Sequence, residues 1–453
     1  MRVRIAVLVV TGIGASMLSW ALAQHSLIGA RWELIGFFAA WVPLWLLGAW
    51  AATKLPRRVS LGAVLLVALA LRLVAATGTA PSISNDLWRY SWDARVQVSG
   101  TDPYTYPPSA PQLVSLRPHS GVWPTPAQCA ARHHQPGCTL LNRQHVRTIY
   151  PPVAEAWFVI VHVLAPGSTG SRPWQLAGGL LDMAAILLII VGLRETGRDS
   201  RQVAWYALCP LPVVEFAGNG HIDVLALLLL VAAVLALRRE RVGWAGVLVG
   251  MATMVKLYPA LALAAWWKRG RWRLALAAGG VVVLSELPHV LVAGTRVLGY
   301  VPGYFREEHY LTGQRFLLLG MLGLPGRLTT VLAIVVFGLA TLYVVRADYE
   351  PATALATLLT ALLLVVTPVQ PWYAALAAGL GALAGAPWLL ILGLAGETYY
   401  ANTVLNDPHQ LAYGRLAYGV ALVTIVYCAA VTLRQSRSQP VSAQPLVRIG
   451  PED

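Results

Sequence analysis

Uninterrupted apolar runs of about 17–25 residues, the length a helix needs to cross the hydrocarbon core of a bilayer, recur along the whole chain. The clearest are 5–23, 34–52, 61–78, 174–194, 274–293, 328–346 and 415–433. Shorter apolar stretches at 202–217, 222–238, 243–267, 352–366, 372–385 and 388–400 fill the gaps. Only 12% of the residues are charged and 57% are apolar, where soluble domains carry roughly 25% charge. Lipid must therefore act as the solvent for much of the surface. The runs show no alternation of period two, which excludes a closed barrel. The expected fold is all-α and integral to the membrane, a single domain over 1–435 with about 12 to 14 membrane helices.

A net charge of +14 could suggest a nucleic-acid partner, but its distribution excludes that. The cations form small clusters between apolar runs: Arg2 and Arg4; Lys54, Arg57 and Arg58; Arg194, Arg198 and Arg201; Arg238, Arg239 and Arg241; Lys268, Arg269, Arg271 and Arg273; Arg434 and Arg437. This is the positive-inside pattern of a multi-pass plasma-membrane protein with both termini in the cytoplasm. Counting spans from an inside N-terminus puts residues 79–150 outside, between the third and fourth spans. The count closes if 152–165 dips in and returns, and if 242–267 is a short hairpin with its tip near Lys256. Met1–Arg4, an apolar core and Ala21-Leu22-Ala23 mimic a secretory leader. That core exceeds the usual 7–15 residues, which favours an uncleaved first helix.

Two outer segments stand out, 79–150 and 294–325. The first carries nine prolines and six arginines against three aspartates, too polar for lipid and too patterned for a linker. Ser84 and Asn85 resemble a helix start, so Asp86–Val98 is expected as an interfacial helix anchored by Trp88, Tyr90 and Trp92. Cys129 and Cys138 share this loop, where oxidising conditions would permit a disulfide; Cys209 and Cys428 lie in apolar runs. The second segment reads Gly-Tyr-Phe-Arg-Glu-Glu-His-Tyr at 303–310. The polar tail 436–453 is expected to be disordered on the cytoplasmic side. No internal repeat, zinc spacing, phosphate-cradling glycine loop or nucleophile elbow is present. No soluble cofactor is implied, and a divalent metal, though chemically compatible, has no support.

The strongest candidate for chemistry is Ser84-Asn85-Asp86-Leu87-Trp88-Arg89-Tyr90-Ser91-Trp92-Asp93-Ala94-Arg95-Val96, followed by Gly100-Thr101-Asp102-Pro103-Tyr104. A helix gathers Asp86, Arg89, Tyr90 and Asp93 on one face. A surface carboxylate beside arginines and aromatics suits deprotonation of a sugar hydroxyl near a phosphate leaving group. The same spacing also suits a plain interfacial helix laced with Arg89–Asp93 pairs.

Asn85–Tyr104, with Thr148-Ile149-Tyr150-Pro151-Pro152 after it, resembles the first outer loop of bacterial polyprenol-phosphate-mannose-dependent mannosyltransferases, which include the phosphatidylinositol-mannoside mannosyltransferases. These are multispanning GT-C glycosyltransferases of the cell envelope. Gly218-Asn219-Gly220-His221-Ile222-Asp223 and Val255-Lys256-Leu257-Tyr258-Pro259 resemble further signatures of the group. The group often has two adjacent acids where this chain has Asn85 and Asp86, so only Asp86 is available here, and a two-carboxylate or metal-bridging role loses its basis.

The resemblance implies a GT-C-type bundle that transfers a sugar, mannose by analogy, from a polyprenyl-phosphate donor to an extracytoplasmic glycolipid or glycan acceptor, with inversion and with Asp86 as general base. A lipid-linked pentose such as arabinose is equally compatible as the donor, and a transporter or lipid flippase is the rival from another class. Against the rival stand the lack of an inverted repeat and the clustering of polar residues at the outer face. Lys256, a cation inside an apolar stretch, is a candidate phosphate holder or a partner of Asp223 or Glu286. Arg89, Tyr90, Asp93, Arg95, Tyr150, His221, Asp223, Tyr258, His309 and Arg315 complete the candidate donor-binding set, with Arg143, Arg147 and Arg306 as alternative clamps. Asp182, Glu215, Glu286 and Glu397 are intramembrane carboxylates expected to be protonated or paired.

Overall fold

The structure is a computed structural model that describes residues 1–24, 31–78, 83–268, 272–313, 315–347, 349–403 and 409–438. Most of the polar tail expected at 436–453 lies outside the described residues. All regular structure among the described residues is helical. Seven helices are long and apolar enough to cross a membrane: Arg2–Ala23, Trp32–Thr53, Arg57–Ala75, Arg172–Glu195, Trp272–Glu307, Gly326–Arg346 and Leu411–Thr432. An eighth span arises if Pro210–Gly218 and Asp223–Arg238, bent by 116° at their junction, are counted together. Pro152–Leu164, Val242–Thr253, Pro351–Val365 and Pro371–Leu383 are apolar but shorter. The expected 12 to 14 membrane segments included such short runs, which form helices below the length of a full crossing.

Exposure of apolar side chains shows where lipid replaces water. Leu284, Leu291, Ile334 and Val423 are each about two-thirds exposed or more. Only 6% of the apolar window in Trp272–Glu307 is buried. In water such a belt would cost about 25 cal/mol per Å²; against acyl chains it costs nothing. Inside the bundle, small residues bring backbones together. A Cβ on Gly246 would lie 2.5 Å from the Leu274 carbonyl oxygen, and one on Gly250 would lie 2.7 Å from that of Ala278. Two glycines four residues apart thus seat Val242–Thr253 directly on Trp272–Ala293.

Four of the basic clusters, at 2–4, 54–58, 194–201 and 238–241, meet at one end. Arg4 donates to the Lys54 carbonyl at 2.8 Å and Arg201 to that of Leu55 at 2.8 Å. Arg239 pairs with Glu195 at 2.5 Å, and Arg238 with Glu350 at 2.6 Å. From this end Val242–Thr253 runs inward, turns at 254–260 with Lys256 at the tip, and returns through Leu261–Ala265 until Trp266 Nε1 donates to the Pro351 carbonyl. Pro152–Leu164 has both flanks at the opposite end: Val153 N bonds the Met254 carbonyl, and Ser171 Oγ approaches that of Gly78. Midway, Arg72 is 2% exposed and pairs with the fully buried Asp182 at 2.7 Å. The Arg72 guanidinium also donates to the Ala207 carbonyl at 2.6 Å, and Tyr206 donates its hydroxyl to the second Asp182 oxygen at 2.6 Å.

Candidate active site

At the end opposite the basic clusters, Asp86–Val98 forms the expected helix. Ser84 Oγ accepts from Asp86 N at 3.3 Å, and Asp86 itself supplies the acid that a first helical turn favours. Arg89 Nε donates to both Asp93 oxygens at 2.9 Å, the i, i+4 pair that the spacing called for. The helix does not lie exposed at an interface, however. Trp88, Tyr90 and Trp92 are all buried, because the chain from 99 to 150 folds over them. Tyr90 stacks on Phe158 at 4.4 Å and meets Tyr150 edge-on at 5.1 Å, while Trp92 meets Trp123. Tyr90 and Trp92 serve in core packing, Trp88 is covered almost as fully, and the expectation of headgroup anchoring is corrected for all three. The same cover buries Asp93; burial pushes its carboxyl above the ordinary range, and the Arg89 guanidinium opposes that shift.

A cavity of about 570 Å³ opens beside the N-terminus of this helix. Asp86, Arg89, Tyr150, Lys256, Tyr258 and Arg315 all line it, bringing together residues from four separate stretches of sequence. Asp86 Oδ1 accepts from Asn142 Nδ2 at 2.7 Å, which leaves Oδ2 3.9 Å from His221 Nδ1. His221 is fully buried, stacks on Trp372 at 3.9 Å and brings Nε2 to 3.2 Å from Glu215 Oε2 without hydrogen-bond geometry. Lys256 Nζ sits 3.5 Å from Asp223 Oδ2, over the rings of Tyr150 and Tyr373 at 5.2 and 5.3 Å. Tyr258 donates its hydroxyl to Asp223 Oδ1 at 3.0 Å. The opposite wall is aliphatic: Leu362, Leu363, Val366 and Val369.

A broken helix places His221 and Asp223. The widened turn Val213–Gly218 ends at Asn219, and Asp223–Arg238 departs at 116° to it. Such turns and breaks recur at functional sites because they free backbone and side chains from the regular ladder. Two glycines make this one feasible. A Cβ on Gly178 would stand 2.0 Å from the Phe216 carbonyl oxygen, and Gly220 has φ +69°. Gln175 Nε2 donates to the buried Gly218 carbonyl at 2.7 Å, and Asn219 Oδ1 accepts from Ile83 N at 3.2 Å. The last contact ties the break to the segment that leads into Asp86.

Several donors at the cavity are left open. Arg89 uses Nε on Asp93 and Nη1 on the Val146 carbonyl, and its buried Nη2 has no partner among the described residues. Arg315 binds Glu308 through Nη1 and lies 5.5 Å from the Tyr310 ring, with Nε unpartnered. Trp372 Nε1 is likewise buried without a partner. Buried polar groups are normally satisfied, and these three belong to residues that line the same cavity.

Not every candidate converges here. Arg95 is turned away and donates to the His119 carbonyl at 3.0 Å. His309 is exposed, in a left-handed turn at φ 55°, and does not line the cavity. Tyr90 and Asp93 support the site from behind, and Asp223 stands behind Lys256 and Tyr258. Arg147 lines the cavity, and Arg143 does so while paired with Glu307 at 2.5 Å. Cys129 and Cys138 are disulfide-bonded, S–S 2.10 Å. Among the described residues, no group of three or more His, Cys, Asp or Glu side chains could hold a metal ion. Asn142, Gln370, Trp372, Tyr373 and Tyr400, none of them expected from sequence, also line the cavity. The signal for Trp372 and Tyr373 was available: Gln-Pro-Trp-Tyr at 370–373 interrupts an otherwise aliphatic stretch.

Residues 148–368, just under half of the chain, match the model of Glycosyltransferase family 87. The match takes in Tyr150, His221, Asp223, Lys256, Tyr258 and Arg315, and leaves Asp86 and Trp372 outside. No curated protein matches the chain significantly. The family match together with the seven long apolar helices supports a membrane glycosyltransferase with an all-helical fold of GT-C type.

Proposed function

We propose that the protein transfers a sugar, mannose, from a polyprenyl phosphate to a glycan or glycolipid acceptor on the extracytoplasmic side of the plasma membrane, with Asp86 as the general base. The observation that carries this reading is the sharing of one cavity by a partly exposed carboxylate, a cation and an aliphatic wall. The acceptor hydroxyl oxygen attacks the anomeric carbon from the face opposite the phosphate, and Asp86 Oδ2 takes its proton. The bond from the anomeric carbon to the phosphate oxygen breaks, and polyprenyl phosphate leaves with the electron pair, so the anomeric configuration inverts. Lys256, with the open Nη2 of Arg89 and Nε of Arg315, receives the growing negative charge on the phosphate. Leu362, Leu363, Val366 and Val369 accommodate the first isoprene units. Asn142 fixes the Asp86 carboxylate through Oδ1, and Trp372 holds the imidazole of His221 behind Oδ2 by stacking. The basic clusters at the other end support a cytoplasmic placement for that face.

The test is transfer from radiolabelled polyprenyl-phosphate mannose to membrane acceptors by wild type and by Asp86→Asn at matched folded yield. Asp86→Asn is isosteric and keeps a hydrogen-bonding partner for Asn142, so folding is expected to survive. Transfer is expected to fall by several orders of magnitude. Equal transfer by the variant removes Asp86 from the base role. No transfer by wild type, with transfer from polyprenyl-phosphate arabinose, changes the donor and keeps the chemistry.

A further inference from the structure

A second cavity, of about 770 Å³, lies on the other side of the start of the Asp86–Val98 helix. Its volume is within the range of about 300–1,000 Å³ for small-ligand sites. Asn85 lines both cavities, so the two converge on the residue next to Asp86. Their walls differ in kind. The first cavity has an aliphatic face; in the second, Leu140 is the only branched aliphatic side chain among the described lining residues. In its place stand the indoles of Trp88 and Trp123, with His119, Arg132 and His134 around them. No carboxylate is among the described lining residues.

Trp123 is held at this wall from two sides. The Arg117 guanidinium lies 4.5 Å over its ring, and Trp92 meets it edge-on at 5.9 Å. Its Nε1 is buried yet has no partner among the described residues. The wall is also stiff. The Cys129–Cys138 bridge closes it, Thr125 and Gln128 cap the short helix Pro126–Ala131 reciprocally, and Leu140 N bonds the Val122 carbonyl at 2.9 Å. Gly121, at φ +75°, packs so tightly that a Cβ there would stand 2.3 Å from the Thr169 carbonyl oxygen.

Resting on the transferase reading above, we propose that this second cavity is the acceptor site and that it takes the sugar chain of a glycan rather than a lipid tail. Aromatic faces cover the apolar faces of sugar rings, while an unpartnered indole N–H and imidazole and guanidinium donors meet ring hydroxyls. An aliphatic chain would find no matching wall and would strand those donors. Asn85, uncharged and able both to donate and to accept, stands where the terminal sugar passes toward Asp86.

The test is saturation-transfer NMR on the full chain in detergent micelles, titrating mannotriose, maltotriose and an arabinan trisaccharide. Wild type is expected to bind at least one of them. Trp123→Ala is expected to weaken that binding about ten-fold, and Trp123→Phe to restore most of it at an unchanged melting temperature. Farnesyl phosphate, a probe of the first cavity, is expected not to displace the sugar. Absence of binding for all three sugars overturns the inference, as does equal binding by folded Trp123→Ala, or displacement by farnesyl phosphate. Those outcomes leave the transferase reading standing, because donor-dependent transfer in membranes tests it separately.

Discussion

Two buried ion pairs, Arg72–Asp182 and Lys256–Asp223, show what separates a cation that holds the bundle from one that faces a cavity. Arg72 spends its donors on Asp182 and on two backbone carbonyls, and Tyr206 closes the remaining carboxylate oxygen. The partners lie at 2.7 Å and are almost wholly buried. Lys256 stands 3.5 Å from Asp223, beyond hydrogen-bond length, with its side chain 14% exposed and aromatic rings as its other neighbours. Asp223 Oδ2 has no hydrogen-bond partner among the described residues. Both pairs bear the cost of burying charge. The first recovers it within the fold, and the second leaves part of it to be recovered by an anion.

The comparison can be broken at three places, in descending order of effect on the folded protein. Arg72→Met strands Asp182 and is expected to cost about 3–5 kcal/mol, read as loss of monodisperse folded protein in detergent. A stable, active Arg72→Met would mean that the closed pair is dispensable. Lys256→Met is expected to leave the melting temperature within a few degrees and to cut transfer about 100-fold, a transition-state loss near 2.7 kcal/mol. Collapse of folded yield for Lys256→Met would reclassify the open pair as structural. Arg143→Gln removes a half-exposed pair with Glu307 and is expected to change stability by about 1 kcal/mol or less. A larger loss, seen as a clear drop in melting temperature, would point to a contribution of the second outer segment beyond that pair.

The parts legible in the sequence were those written locally. Periodicity and length marked the long spans, and an acid-led stretch with i, i+4 pairs marked Asp86–Val98. A lysine stranded between two basic clusters marked the tip of a hairpin. The rest depended on long-range closure. Nothing near Trp88 in the sequence says that the chain up to Tyr150 will cover it, so an amphipathic-looking helix was read as an interfacial one. Arg72 sat within an apolar run without an adjacent acid, and its partner lies 110 residues away. Trp372 and Tyr373 reach the site from the last third of the chain, where a search for charged motifs finds little, because their contribution is stacking.

The short helices set the depth of the site. Val242–Thr253 has 12 residues and Pro371–Leu383 has 13, so each rises about 18–20 Å from the basic end. Arg172–Glu195, with 24 residues, rises about 36 Å. The tip carrying Lys256 and the start of the segment carrying Trp372 therefore sit on helices about half the length of that span. A phosphate that reaches Lys256 must enter the cavity, where that side chain is only 14% exposed, away from bulk water and mobile counter-ions. There the effective dielectric is lower, and a single ammonium exerts several times the pull it would have at the headgroup surface.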